Sequence, residues 1–124
     1  MRRDMDLVRS ILMQAEAADG PLDLGDMDAC GHTEEEAAYH VELMAQRGLV
    51  SATVRRAHGG ALMLCRIDSL TWEGQDMLDA MRSERVWARA RRAIAESVGT
   101  ATFDVVKGVC SAVAQRMALD AAGL

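Results

Sequence analysis

Aromatic side chains are almost missing from this chain: Tyr39, Trp72, Trp87 and Phe103 are the whole set in 124 residues. Such scarcity excludes a stacking platform for single-stranded nucleic acid, which works through exposed rings. Cysteine is sparse too. Cys30, Cys65 and Cys110 form an odd, scattered set with no CxxC pair, so each reads as a buried free thiol in a reducing cytoplasm. No apolar run approaches the ~20 residues that a membrane-spanning helix needs. The opening Met1-Arg2-Arg3-Asp4-Met5-Asp6 has no apolar stretch behind its basic residues, and does not read as a signal peptide. Internal repeats and low-complexity tracts are lacking as well.

Catalytic signatures are equally scarce. There is no GxSxG, no glycine-rich phosphate loop and no HExxH, the spacings that bring nucleophile, phosphate or zinc chemistry to one point. Cys30, His32 and His40 are near in sequence, and His58 is a conceivable fourth, but paired CxxC or HxxxH spacing is absent. His40 is read instead as packed or hydrogen-bonded at a helix edge. The run Glu34-Glu35-Glu36 suits helix capping and the positive end of a helix dipole better than acid–base work. The expectation is a non-enzyme with no cofactor and no metal.

What is present is aliphatic. Half the residues are hydrophobic and nine are methionine, an adaptable filler of irregular cores. A chain of this length buries about two-thirds of its unfolded surface as one domain. Its net charge of −5 conceals a polarity. Residues 1–45 carry eleven acids against three bases, whereas residues 46–100 carry nine bases against six acids. A generic nucleic-acid binder is basic overall, so this sign distribution is unusual for one.

Period and punctuation predict the elements. A first helix over about Asp4–Ala18 presents Leu7, Val8, Ile11, Leu12 and Ala15 as an apolar stripe and ends at Asp19-Gly20-Pro21. Leu22–Leu24 reads as a short extended piece and Asp26–Cys30 as a single helical turn. Thr33 with Glu36 forms a capping box for a helix that runs to about Arg47 and stops at Gly48, a natural residue just past a helix end. Its outward face is Glu35, Tyr39, Glu42 and Gln46. Strands over about Leu49–Arg56 and Ala61–Ile67 flank Gly59-Gly60, which supplies the positive φ of a tight hairpin. Thr71 caps a helix to about Arg82, with Gly74 close-packed against the hairpin. A further helix over Glu84–Ser97 turns Trp87, Ala90 and Ile94 inward and shows Arg85, Arg89 and Arg92 as a basic ridge. Gly99 breaks it, and a last helix spans about Thr102–Ala121.

This order is that of an α+β winged helix-turn-helix domain with a two-stranded wing and additional C-terminal helices. Residues 1–124 then form one domain, with a core over 1–82 and C-terminal helices over 84–121.

Several of these residues also carry a resemblance. The opening Met1-Arg2-Arg3-Asp4-Met5-Asp6-Leu7-Val8-Arg9, the pair Tyr39-His40 followed by Gly48-Leu49-Val50, and the block Leu70-Thr71-Trp72-Glu73-Gly74 with Leu78-Asp79 together resemble a bacterial and prophage-encoded family of unknown function. The likeness covers roughly residues 1–100. It implies a phage or prophage setting and a winged helix, and it brings no catalytic residues. That family usually has Gly-His-(Asp/Glu)-Phe after the tryptophan, where this chain has Gly74-Gln75-Asp76-Met77.

Two functions compete. In a helix-turn-helix the second helix lies in the major groove and its outward side chains meet bases. Here that face carries Glu35 and Glu42, with Glu34 beside them. At an effective dielectric of 20, a carboxylate ~8 Å from a phosphate is repelled by about 2 kcal/mol before screening. DNA binding must therefore run through the wing, at Arg55, Arg56 and His58, with Arg2, Arg3 and the Arg85, Arg89, Arg92 ridge adding phosphate contacts; the alternative is that these arginines are solvated and pair with the chain's surplus acids, Glu96 among them for the ridge. The leading expectation is a cytoplasmic regulatory protein of phage type that binds double-stranded DNA as a homodimer. Phe103, Val106, Val109, Val113 and Met117 form the dimer stripe, together with Cys110; the alternative is that this stripe covers the chain's own helices over Asp4–Ala18 and Glu84–Ser97. The rival is a protein-interaction module, such as a phage-encoded inhibitor that docks Glu34, Glu35, Tyr39 and Glu42 on a basic host protein. Neither involves a membrane.

Overall fold

The computed structural model describes residues 1–97 and 102–124. The expected break at Gly99 lies outside the described residues. The fold is mixed α+β: helix α1 (Met5–Ala17), strand β1 (Leu22–Asp23), a 3-10 turn (Leu24–Asp26), α2 (Glu34–Gln46), β2 (Val50–Arg56), β3 (Leu62–Leu70), α3 (Trp72–Met81), α4 (Glu84–Ser97) and α5 (Phe103–Ala121). The chain divides into two compact units, Met1–Asp76 and Met77–Leu124.

In the first unit the sheet is antiparallel in the order β1-β3-β2. β3 pairs with β2 from Val50↔Leu70 to Arg56↔Leu62, but with β1 only at Leu22↔Ile67 and Asp23↔Arg66. Two irregularities in the β2–β3 register leave Asp68 and Met63 as extra residues on β3, bulges that increase local twist. The hairpin closes through Ala57 N–H to Ala61 O and Gly60 N–H to Ala57 O, both 2.8 Å, with Gly60 at φ +89. Helices α1 and α2 supply Leu7, Val8, Ile11, Leu12, Ala37, Ala38, Val41 and Met44 to the buried set, and the strands add Val50, Cys65 and Ile67.

Helix ends follow the chemistry of their residues. Asp4 caps α1 by accepting the Asp6 N–H at 2.9 Å. Thr33 and Glu36 form the reciprocal capping box of α2, at 3.1 Å in both directions. Gly48, at φ +82, lets α2 end with Leu49 N–H bonded to Met44 O and Gly48 N–H to Ala45 O, the double closure that favours glycine at this point. The Thr71 hydroxyl donates to Gly48 O and accepts the Gly74 N–H, tying the start of α3 to the end of α2.

Three local expectations need correction. The turn after β1 is a 3-10 turn at Leu24–Asp26 rather than a helical turn over Asp26–Cys30. Residues Asp28–Cys30 instead form a loop held by the Gln14 side chain, which bonds both Asp28 N–H (2.8 Å) and Asp28 O (2.9 Å). Cys30 is exposed, not buried, and adopts a left-handed φ of +53; only Cys65 and Cys110 are buried thiols. Finally, β3 continues three residues past Ile67, because the bulge at Asp68 lets pairing resume at Ser69 and Leu70.

In the second unit α4 packs on α5. Val86, Trp87, Ala90 and Ile94 of α4 are buried, as are Val106 and Cys110 of α5. Phe103, Val109, Val113 and Met117 are half-buried.

Candidate functional site

The hairpin end and the outward face of α2 form one electrostatic assembly. The Arg56 guanidinium reaches Glu35 Oε1 at 2.5 Å and Glu42 Oε1 at 3.1 Å, and donates to Gly60 O at 3.1 Å. These carboxylates hold Arg56 above the ordinary arginine range. The residues of the two rival readings are thus joined: a wing arginine neutralises part of the acidic face. The other two basic residues of the tip differ. Arg55 and His58 are exposed and make no ion pair among the described residues. Glu34, exposed at the start of α2, is likewise unpaired among the described residues, and Tyr39 is half-buried with its ring edge-on to His40 at 5.8 Å.

Arg2 and Arg3 are exposed ahead of α1. On α4, Arg85, Arg89 and Arg92 share one exposed face in the second unit, with no ion pair among the described residues. The Glu96 partnership that their spacing permits is not formed.

A second cluster joins α1 to α2. His40, 1% exposed, accepts the Asp4 N–H at Nε2 (2.8 Å) and donates from Nδ1 to Glu36 O (2.7 Å). Both ring nitrogens are committed, so neither has a lone pair to spare for a metal. Among the described residues no group of three or more His, Cys, Asp or Glu is placed to hold a metal ion. His32 sits beside it, with Nε2 2.9 Å from Asp4 Oδ2 and Nδ1 3.2 Å from Glu36 Oε2. The hydrogen bonds to Asp4 and Glu36 push the His32 pKa up. Burial raises the Asp4 carboxyl, but His32 and the Asp6 and Leu7 N–H groups outweigh it and hold it low. The Thr33 N–H, then His32, hold Glu36 low. Each carboxylate is also a helix cap, so the cluster is structural.

Sequence reasoning missed one exposed group, Trp72, which is 79% exposed at the first residue of α3. A signal existed: the side chain at the position after an N-cap Thr points outward when Gly74 and Leu78 carry the packing.

Residues 2–101 match the family described as hypothetical protein (DUF2513). The chain belongs to the DUF2513 family. A Haemophilus influenzae protein, described as uncharacterized, is similar: 31% identical over 120 residues, covering 94% of this chain and 98% of that one. No solved structure matches. For this DUF2513 member, no described helix is long and apolar enough to cross a membrane.

Proposed function

We propose that this chain is a non-enzymatic regulatory protein of winged-helix type, of phage or prophage setting, that binds duplex DNA through the tip of its β2–β3 hairpin. One observation carries the reading: Arg55 and His58 stand exposed and unpaired among the described residues, while Arg56 is taken up by Glu35 and Glu42. Cations at a hairpin tip meet phosphates or the minor groove, which demands no base-reading helix. The element order also supports it, since a helix precedes the hairpin and a short strand pairs with β3. The Arg85, Arg89, Arg92 ridge supplies further phosphate contacts. Phe103, Val109, Val113 and Met117 serve as the contact of a homodimer, without Val106 and Cys110 of the expected stripe, which are already fully buried; two-fold symmetry matches paired half-sites.

The test is anisotropy of a labelled mixed-sequence duplex at low and physiological salt. Binding with a steep salt slope supports the reading; no binding at low salt removes it. A second reading, a protein-interaction module or inhibitor of a host protein, draws on the exposed Trp72 and the unpaired Glu34. It predicts partner capture that Glu34→Lys abolishes.

A further inference from the structure

The edge of β3 that faces β1 is half empty. β1 covers only Ile67 and Arg66, then the chain turns away at Leu24–Asp26. Leu62, Leu64 and Cys65 consequently have β2 on one side and no strand on the other, among the described residues. An open cleft of about 320 Å³ lies along this stretch, between the strand, the 3-10 turn and the first residue of α2. A sheet edge with room beside it is a template for an added strand.

The lining gives that strand a chemistry. Leu62 and the buried Cys65 give the lining an apolar floor on one face of β3, while Leu64, beside the 70% exposed bulge residue Met63, lies on the other. Asp23 and Glu34 contribute two carboxylates, neither ion-paired among the described residues, and no Lys or Arg lines the cleft. The sign repels a polyanion, so duplex DNA is excluded from this cleft even where it binds the hairpin tip.

We propose that this cleft docks an extended segment of a protein partner in which basic residues alternate with apolar ones. The segment lies collinear with β1 and antiparallel to β3, opposite Leu62–Cys65. Its apolar side chains rest on Leu62 and Cys65 while its lysines or arginines, on the opposite face, come within reach of Asp23, because successive strand side chains point to opposite faces; Glu34 adds to the negative field of the cleft. This does not depend on DNA binding.

The experiment is an amide NMR titration of the full chain with a capped peptide of about six residues alternating lysine and valine. The expected result is shifts confined to residues 62–65, 23–25 and Glu34, with slowed amide exchange along 62–65. A glutamate–valine peptide of equal length leaves the spectrum unchanged. The Asp23→Asn, Glu34→Gln double variant weakens the lysine peptide about twofold to thirtyfold, the range for two exposed charge interactions. Should that variant lose its fold, raising salt on the native chain must weaken binding instead. Shifts centred on Glu35 and Glu42, equal binding of the acidic peptide, or the same shifts on concentrating the protein alone would each overturn the proposal. The last outcome would make a second copy the occupant.

Discussion

A Cβ placed on Gly74 would stand 1.9 Å from the carbonyl oxygen of Leu49. That oxygen also accepts the Thr71 N–H at 3.1 Å, so the first turn of α3 is pressed against the chain where it leaves α2 and enters β2. The obstacle is backbone, which cannot swing aside as a side chain would. Gly74→Ala is therefore expected to cost about 3 kcal/mol or more, the upper range of overpacking. Gly108 in α5 is the control. A Cβ there meets nothing within 4 Å, so Gly108→Ala should stabilise by about 0.5–1 kcal/mol. Denaturant midpoints of the two variants check both signs.

Gly74 marks how far the sequence could be read. A glycine inside a helical period, three residues after a capping threonine, announces close approach, and the approach is there. The capping box at Thr33 and the stop at Gly48 were likewise legible, because caps and C-terminal glycines act through neighbours in sequence. Bulges do not. Asp68 and Met63 break the two-residue period of β3, and the break depends on what β2 offers opposite. Nor could the exposure of Cys30 be read, since the Gln14 clamp on Asp28 comes from fourteen residues away. That a wing arginine could pair with the surplus acids was open from charge alone; which acids was not, because Arg56 meets Glu35 and Glu42 across 21 and 14 positions. The effect of the pairing was to merge two sites that sequence treated as rivals.

The His32 bridge makes stability depend on pH. Asp4 and Glu36 can both be served by the ring nitrogens only when the imidazole carries both protons. Its folded pKa is raised, so its contribution is full below the unfolded value of about 6.5 and fades as pH climbs through the folded value. Asp4 and Glu36 are depressed; their contribution is full above the ordinary carboxylate range and is lost on acidification. The cluster therefore stabilises most between about pH 5 and 6.5. Thermal midpoints of the native chain and His32→Gln should differ most in that window and converge toward pH 9. A constant difference across the range would count against the bridge.

Thiol labelling separates the three cysteines. Cys30 is exposed, its Sγ 3.2 Å from the Ser10 hydroxyl. Burial, with Glu42 nearby, pushes Cys65 up to about 11, and the thiolate is the reactive form. Cys110 is fully buried. Under native conditions a maleimide should add once per chain, at Cys30, and three times after unfolding. Peptide mapping by mass spectrometry reads the site, and early labelling of Cys65 or Cys110 would contradict the packing described.

Arg55 and Arg56 are adjacent in β2 yet should behave as opposites. Arg56→Ala removes a guanidinium already shared by Glu35 and Glu42, an exposed, solvent-screened arrangement that adds little to stability, and deprives a phosphate of little. Arg55→Ala removes a cation with no ion pair among the described residues. If the hairpin tip meets DNA, the slope of log binding constant against log salt should flatten by about one unit in Arg55→Ala. In Arg56→Ala it should flatten by well under one unit. That small flattening comes from the two carboxylates it uncovers close to the tip, which weaken binding modestly at low salt and are screened as salt rises. Equal slopes in both variants would mean that the ion pairs open on binding, and the acidic face of α2 would then have to be turned away from the duplex.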